Sequence, residues 1–411
     1  MRRRTVLASS GAAASAVLIG RGLSGSSRWV HTWTAMPQLT EPDNLPPAPF
    51  TGPGSVLTDT TLRQTLRITA GGRRLRVRLS NTFGGADLPI TAAAVARPAG
   101  GAIGVAGIRP GTSCPLLFGG NPAVTIPPGA QIVSDPVDVA VAAGAALTVS
   151  VYLADGQQGL ALTSHPGSRT TSWLIAGDHH TAVNPVGATA VDHWYLISGV
   201  EVQAGAPGLA LLGDSLTDGR GSTTNGHDRW PDQLFDRLRD TGIAVLNQAA
   251  GGNRVLRDGL GPSALARLDR DVLAVSGVRW MLVFTGVNDI GTAPADEPSQ
   301  RQVVPDLLGA YRQMVVRGHA SDIAVYGATL TPFGGNIYDD PGRLRERSRQ
   351  AVNTAIRGGI FDAAVDFDAA VRDPGTPDRL AARFDAGDHL HLNPAGYATL
   401  AATVPRRLLQ V

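Results

Sequence analysis

A serine hydroxyl is a weak nucleophile until a base accepts its proton, and that base works best when a carboxylate fixes its tautomer and stabilises the imidazolium. The chain holds all three residue types in short glycine-bearing segments. Leu212-Gly213-Asp214-Ser215-Leu216-Thr217-Asp218-Gly219 sets a hydroxyl between glycines that permit a sharp turn. Asp385-Ala386-Gly387-Asp388-His389-Leu390-His391-Leu392-Asn393-Pro394 puts Asp388 three residues before His391. Asn393 and Pro394 suit the N-cap and first position of a following helix. At this spacing the carboxylate can orient the imidazole, so His391 is the candidate base. His389 is its rival, but it adjoins Asp388 and is expected to point away. Taken alone, Ser215 could equally be a helix cap.

Two further segments could stabilise the oxyanion that attack on a carbonyl creates. Asn247-Gln248-Ala249-Ala250-Gly251-Gly252-Asn253-Arg254 contains adjacent glycines, which let a backbone N–H approach a ligand unobstructed. Gly286-Val287-Asn288-Asp289 offers the Asn288 amide as a donor. Either segment by itself reads as a turn. No cluster of Cys, His and carboxylates has zinc-like spacing and no glycine loop ends in a phosphate-binding lysine, so neither metal nor cofactor is expected. In Gly226-His227-Asp228-Arg229-Trp230-Pro231, Trp230 is expected in the core and His227 is undecided between core and substrate mouth.

These segments need elements to carry them. From Gly208 onward, apolar runs at Leu209 to Leu212, Ile243 to Leu246, Trp280 to Phe284, Ile323 to Tyr326 and Ala364 to Phe367 alternate with helical patterns. The helices include Trp230 to Leu238 and Val303 to Arg317. Alternation of this kind predicts a parallel sheet covered on both faces, with ligands beyond the carboxyl ends of its strands. The four segments above lie there. Residues 29–205 read differently, as short alternating runs broken by Gly and Pro, which predicts an antiparallel β-sandwich. The clearest expected hairpin joins Leu66 and Ile68 to Leu75, Val77 and Leu79 across Gly71-Gly72, with Arg74, Arg76 and Arg78 on its outer face. That face is expected to be solvated, with an acidic polymer as the alternative partner.

The four segments, in this order, resemble those of the SGNH subclass of the GDSL esterase and lipase family. The resemblance runs from about Gly208 to the C-terminus. It implies an α/β class fold, with a three-layer α/β/α flavodoxin-like domain. It also implies that Ser215 is the nucleophile, that Asp388 and His391 complete a triad, and that the N–H groups of Ser215 and Gly252 with the Asn288 side chain form the oxyanion hole. One departure is Leu392, where many relatives carry Pro. Trp29 to Gln38 and the following strands resemble the β domain of some secreted members, including ones described as xylan-side-chain esterases.

The 36 basic residues are all arginine and scattered, against 34 acids, which argues against nucleic acid as a partner. Arg2-Arg3-Arg4 followed by an apolar stretch to Gly20 has the layout of a twin-arginine signal peptide over residues 1–28, which implies export and a secreted, extracellular protein. The stretch is short for a membrane span, so no stable anchor is expected. Cleavage before Arg28 would remove four arginines and no acid, turning a net charge of +2 into −2. The lone Cys114 cannot form an internal disulfide. The organisation expected is therefore residues 1–28 as leader, 29–205 as accessory β-sandwich and 206–411 as hydrolase. The function expected is a serine esterase acting on short acyl groups such as acetyl on polysaccharide. Acyl lipids are the alternative substrate, and a carbohydrate-binding protein with an inactive hydrolase scaffold is the alternative of another class.

Overall fold

The computed structural model describes residues 28–410, so the leader, apart from Arg28, lies outside the described residues. From Arg28 to Ala204 the chain builds two main antiparallel sheets around one hydrophobic cluster. Its principal strands are β1 (Arg28–Thr34), β2 (Thr60–Arg67), β3 (Leu75–Ser80), β4 (Ala146–Leu153) and β5 (Ile197–Ala204). A four-stranded sheet runs β1, β5, β3 and Gln131–Val133. A six-stranded sheet has β2 and β4 at its centre.

The hairpin expected across Gly71-Gly72 does not form. β2 pairs with β4 and Ser172–Ala176, whereas β3 pairs with β5 and Gln131–Val133. Leu62, Leu66 and Ile68 instead meet Leu75, Val77 and Leu79 inside the shared core. Paired edge to edge, these strands would have turned both apolar faces the same way with no layer between them to bury; in separate sheets each covers the other. The arginine face is also occupied. Arg76 and Arg78 both reach the buried Glu201 carboxylate, Arg76 lies over the Trp29 ring, and Arg74 pairs with Asp138 at 2.8 Å.

Beyond Pro207 five strands form one parallel sheet: β6 (Gly208–Gly213), β7 (Ala244–Ala249), β8 (Val278–Phe284), β9 (Ala324–Ala328) and β10 (Ala363–Val365). Their spatial order is β7-β6-β8-β9-β10. The last strand is shorter than the sequence pattern suggested: Asp366 caps a helix that Phe367 opens. The helices that matter for the site are α1 (Ser215–Asp218), α2 (Trp230–Leu238), α3 (Glu297–His319), α4 (Leu344–Arg357) and α5 (Pro394–Thr403). α3 starts earlier than its apolar periodicity, at Glu297, because Asp296 accepts the Ser299 N–H at 2.7 Å and caps it. α2 packs on β7 and α3 on β9. α5 packs on α2 and α4 on α3, which completes an α/β/α stack.

Strand β7 is the edge of this sheet and the seam between the two halves. Its side chains alternate between cores: Val245 is buried with the helices, while Ala244 and Leu246 join the β-domain cluster. Its outer backbone groups are met by hydroxyls. Thr69 Oγ1 lies 3.2 Å from both the N and the O of Val245, and Thr34 Oγ1 donates to the Asn247 carbonyl at 3.0 Å. An exposed sheet edge is thereby covered. Because Leu246 anchors both halves, Leu246→Ala should cost about 2–5 kcal/mol. Calorimetry should show one unfolding transition in wild type and variant alike; two separate transitions in the wild type would contradict the coupling.

Candidate active site

Ser215 sits where β6 turns into α1. Asp214 precedes it as N-cap, its carboxylate accepting the Leu216 N–H at 3.0 Å, and Gly219 ends the short helix with φ of 93°. Gly213 is required for close packing, since a Cβ there would come within 2.4 Å of Thr217. Burial pushes the Asp214 carboxyl up to about 7, against the pull of the Leu216 N–H, which limits negative charge beneath the serine.

Ser215 Oγ lies 2.8 Å from His391 Nε2, and His391 Nδ1 lies 2.6 Å from Asp388 Oδ2. The carboxylate fixes the proton on Nδ1 and leaves Nε2 bare to accept the serine proton. Asp388 is itself held, because its other oxygen accepts the backbone N–H groups of His391 (2.8 Å) and Leu390 (3.1 Å). Partial burial works against this carboxylate, but the hydrogen bonds from the His391 ring and backbone outweigh it and bring the carboxyl down to about 2. Burial also lowers the His391 imidazole below its ordinary value, opposed by the bond to Asp388. Asn393 caps α5 by accepting the Gly396 N–H at 3.0 Å, with Pro394 in its first turn. Leu392 is fully buried, and the turn around it is closed by the Ala386 N–H donating to the His391 carbonyl at 2.9 Å. His389 lines the same cavity as Ser215, but its Nδ1 is taken by Asp385 at 2.6 Å, and it is His391 that reaches the serine hydroxyl.

Gly252 and Asn288 line the same cavity, of about 850 Å³, as Ser215, Asp388 and His391. Gly252 adopts φ of 67°, in the left-handed region. The N–H groups of Ser215 and Gly252 have no partner among the described residues. One N–H of the buried Asn288 amide donates to the Asn253 carbonyl at 2.9 Å, leaving the second uncommitted. The loops beneath are tied by buried charge. Arg267 donates to the Gln248 and Gly213 carbonyls and to Asn253 Oδ1, and pairs with Asp271. Asp289 accepts the N–H groups of Val255 and Leu256 at 2.8 and 3.0 Å.

Several functional side chains escaped the sequence reading. The Tyr338 hydroxyl donates to Asn288 Oδ1 at 2.9 Å and so fixes which end of the amide faces the cavity. Asn336 donates to the Asp388 carbonyl at 2.7 Å. Both come from the loop after β9, which the rule of carboxyl ends covered but which carried no distinctive residue pattern. Gln38, Glu41, Asn44, Arg169 and His193 of the β domain also line the cavity, and no local signal pointed to them. Trp230 is core, donating to Thr217 Oγ1 at 3.2 Å, and His227 lies outside this cavity with its Nδ1 3.8 Å from Asp232. Among the described residues no group of three or more His, Cys, Asp or Glu could hold a metal ion, and no helix is long and apolar enough to cross a membrane.

Residues 211–399 match the family model of the GDSL-like lipase/acylhydrolases. The C-terminal domain belongs to this family. The protein is accordingly a carboxylic ester hydrolase, which sets aside the reading of this half as a scaffold for a binding protein. Among solved structures, the GDSL domain is similar to a GDSL-like lipase from Bacteroides thetaiotaomicron VPI-5482, with 16% identity over 49% of this chain and 87% of that one and a TM-score of 0.36. It is also similar to LAE5, an alpha/beta hydrolase enzyme from the metagenome of Lake Arreo, Spain (21%, 48% and 94%, TM-score 0.36). A third is Axe2, an acetylxylan esterase from Geobacillus stearothermophilus (22%, 48% and 91%, TM-score 0.36). No curated protein matches the chain. The family assignment rests on the match over residues 211–399 and not on these structural likenesses.

The geometry sets three expectations. His391 must be neutral to accept a proton, so activity is lost as pH falls through its pKa; the acid limb of kcat/KM should have its midpoint below pH 6.5. Asp388→Asn removes the interaction that raises His391, so the limb should move lower still while kcat drops by about 10⁴-fold. A limb that moves upward would overturn the role given to Asp388. Tyr338→Phe should lower kcat roughly 10-fold with little change in KM, since it frees an oxyanion donor without deleting it. A change in KM alone would place Tyr338 in substrate binding instead.

Proposed function

We propose that the GDSL domain removes short acyl groups, such as acetyl, from a polyhydroxylated alcohol of the polysaccharide kind, through an acyl-enzyme on Ser215. The observation that carries this reading is the continuous hydrogen-bonded line from Ser215 through His391 to Asp388, opening into a cavity with a polar rim. Ser215 Oγ attacks the ester carbonyl as His391 Nε2 takes its proton. The tetrahedral oxyanion is met by the N–H groups of Ser215 and Gly252 and by the free N–H of Asn288. His391 then gives the proton to the departing alcohol. Water, activated by the same ring, releases the acid and regenerates the serine.

The rim of the cavity suits an alcohol rich in hydroxyl groups. Gln38, Glu41, Asn44, Arg169 and Asn336 offer donors and acceptors suited to hydroxyl groups. Acyl lipids remain the second reading because Leu260 and Ile337, 50% and 88% exposed, also border the cavity and could support a longer chain. The twin-arginine layout of residues 1–28 supports an exported enzyme, where such polymers would be met.

Hydrolysis of p-nitrophenyl esters from acetate to palmitate, by wild type and Ser215→Ala, tests the reading. Turnover should peak at acetate, and Ser215→Ala should cost ~10⁴- to 10⁶-fold in kcat without unfolding the protein. A peak at long chains would transfer the assignment to lipids. Activity that survives the substitution would remove Ser215 from the mechanism.

A further inference from the structure

One buried carboxylate joins the β domain to the oxyanion loop. Asp218, at the end of α1, is 1% exposed. Its Oδ2 accepts the Gly251 N–H at 3.1 Å, one residue before Gly252. Its Oδ1 lies 2.9 Å from Nε2 of His165, a β-domain residue that is itself 4% exposed. His165 is locked on its other side as well, with Nδ1 3.0 Å from the Met36 carbonyl and the ring stacked on Trp194 at a centroid distance of 5.8 Å.

Hydrogen-bond bookkeeping defines what this contact must be. Met36 O can only accept, so Nδ1 carries a proton. Asp218 Oδ1 and His165 Nε2 then share a further proton, as imidazolium with carboxylate or as imidazole with carboxyl, and in either form the pair is net neutral. The chain around it leaves no slack: a Cβ on Gly167 would come within 1.7 Å of Asp218 Oδ2, so the β-domain backbone presses directly on the carboxylate. Without His165, Asp218 would be a buried acid with one amide donor, free to rotate away from Gly251 or to draw in water.

We propose that His165 is a positioning residue for ester hydrolysis, holding Asp218 so that the Gly251-Gly252 segment keeps the Gly252 N–H aimed at the oxyanion. The β domain thereby supplies part of the catalytic apparatus of the GDSL domain while touching no reacting atom. This rests on the acyl-enzyme reading above, in which Gly252 is an oxyanion donor.

Two polar substitutions separate this role from plain packing. His165→Asn puts an amide where Nδ1 was and keeps the Met36 contact but cannot reach Asp218, whereas His165→Gln can place its amide nitrogen near the position of Nε2. The Asn variant should lose about 10- to 100-fold in kcat with KM within about 3-fold of wild type, because a misaligned donor acts on the transition state. A boronic acid that forms a tetrahedral adduct with Ser215 should bind it more weakly by a similar factor. The Gln variant should recover most of both. Thr69→Val, which removes an interdomain hydrogen bond at β7 away from the cavity, should leave kcat and boronate affinity unchanged. The proposal is overturned if Asn and Gln variants behave alike, if only KM moves, or if Thr69→Val reproduces the loss. Wild-type turnover that depends on Ser215, measured in the same series, keeps such a failure distinct from a failure of the acyl-enzyme reading.

Discussion

Because successive side chains of a strand point to opposite faces, an edge strand with no helix on one side has half its residues to bury elsewhere. Strand β7 meets this constraint by giving Ala244 and Leu246 to the β-domain core and Val245 to the core of the GDSL domain. Its outer backbone is finished by the hydroxyls of Thr34 and Thr69. The strand ends at Ala249, directly before Ala250 and the Gly251-Gly252 segment. The Gly251-Gly252 segment therefore emerges beside the seam of the molecule.

From this seam the site is fixed mainly by groups that are never exposed. Arg267 spends its guanidinium on carbonyls at the ends of β6 and β7, on Asn253 and on Asp271. Asp289 gathers the backbone N–H groups of Val255 and Leu256, and Asp218 that of Gly251, all in the segment after β7. Buried charges of this kind are costly unless every donor and acceptor is met, and the exchange yields loops held in one geometry. Pre-set dipoles are what an oxyanion requires, because they need no rearrangement at the moment of reaction. Asp214, pushed up by enclosure, and Asp388, held down by its donors, show one residue type shifted in opposite directions within one site.

The parallel sheet and the serine, histidine and carboxylate segments were legible because their signals are local. Apolar runs with glycine at the carboxyl ends mark β6 and its turn, and Asn393-Pro394 marks the start of α5. The β domain was legible as a class but not in its pairing. Alternation tells which side of a strand is apolar without telling which partner it faces, so β2 and β3 read as a hairpin although they lie in opposite sheets. Tyr338, His165 and Arg169 were missed for another reason. Each acquires its part through contacts remote in sequence, and a tyrosine in a loop or a histidine in a short strand has no spacing that announces it. Trp230, by contrast, was placed correctly because it continued a helical stripe.

The pairing of β1 with β5 ties Arg28 to Ala204. The four-stranded sheet thus cannot close until almost the whole β domain has been synthesised, and contacts of such sequence separation form slowly. Once closed, it presents Thr34, Thr69 and its apolar flank to β7. β7 in turn completes the β-domain core with Ala244 and Leu246, so the first half is finished only when its edge strand docks.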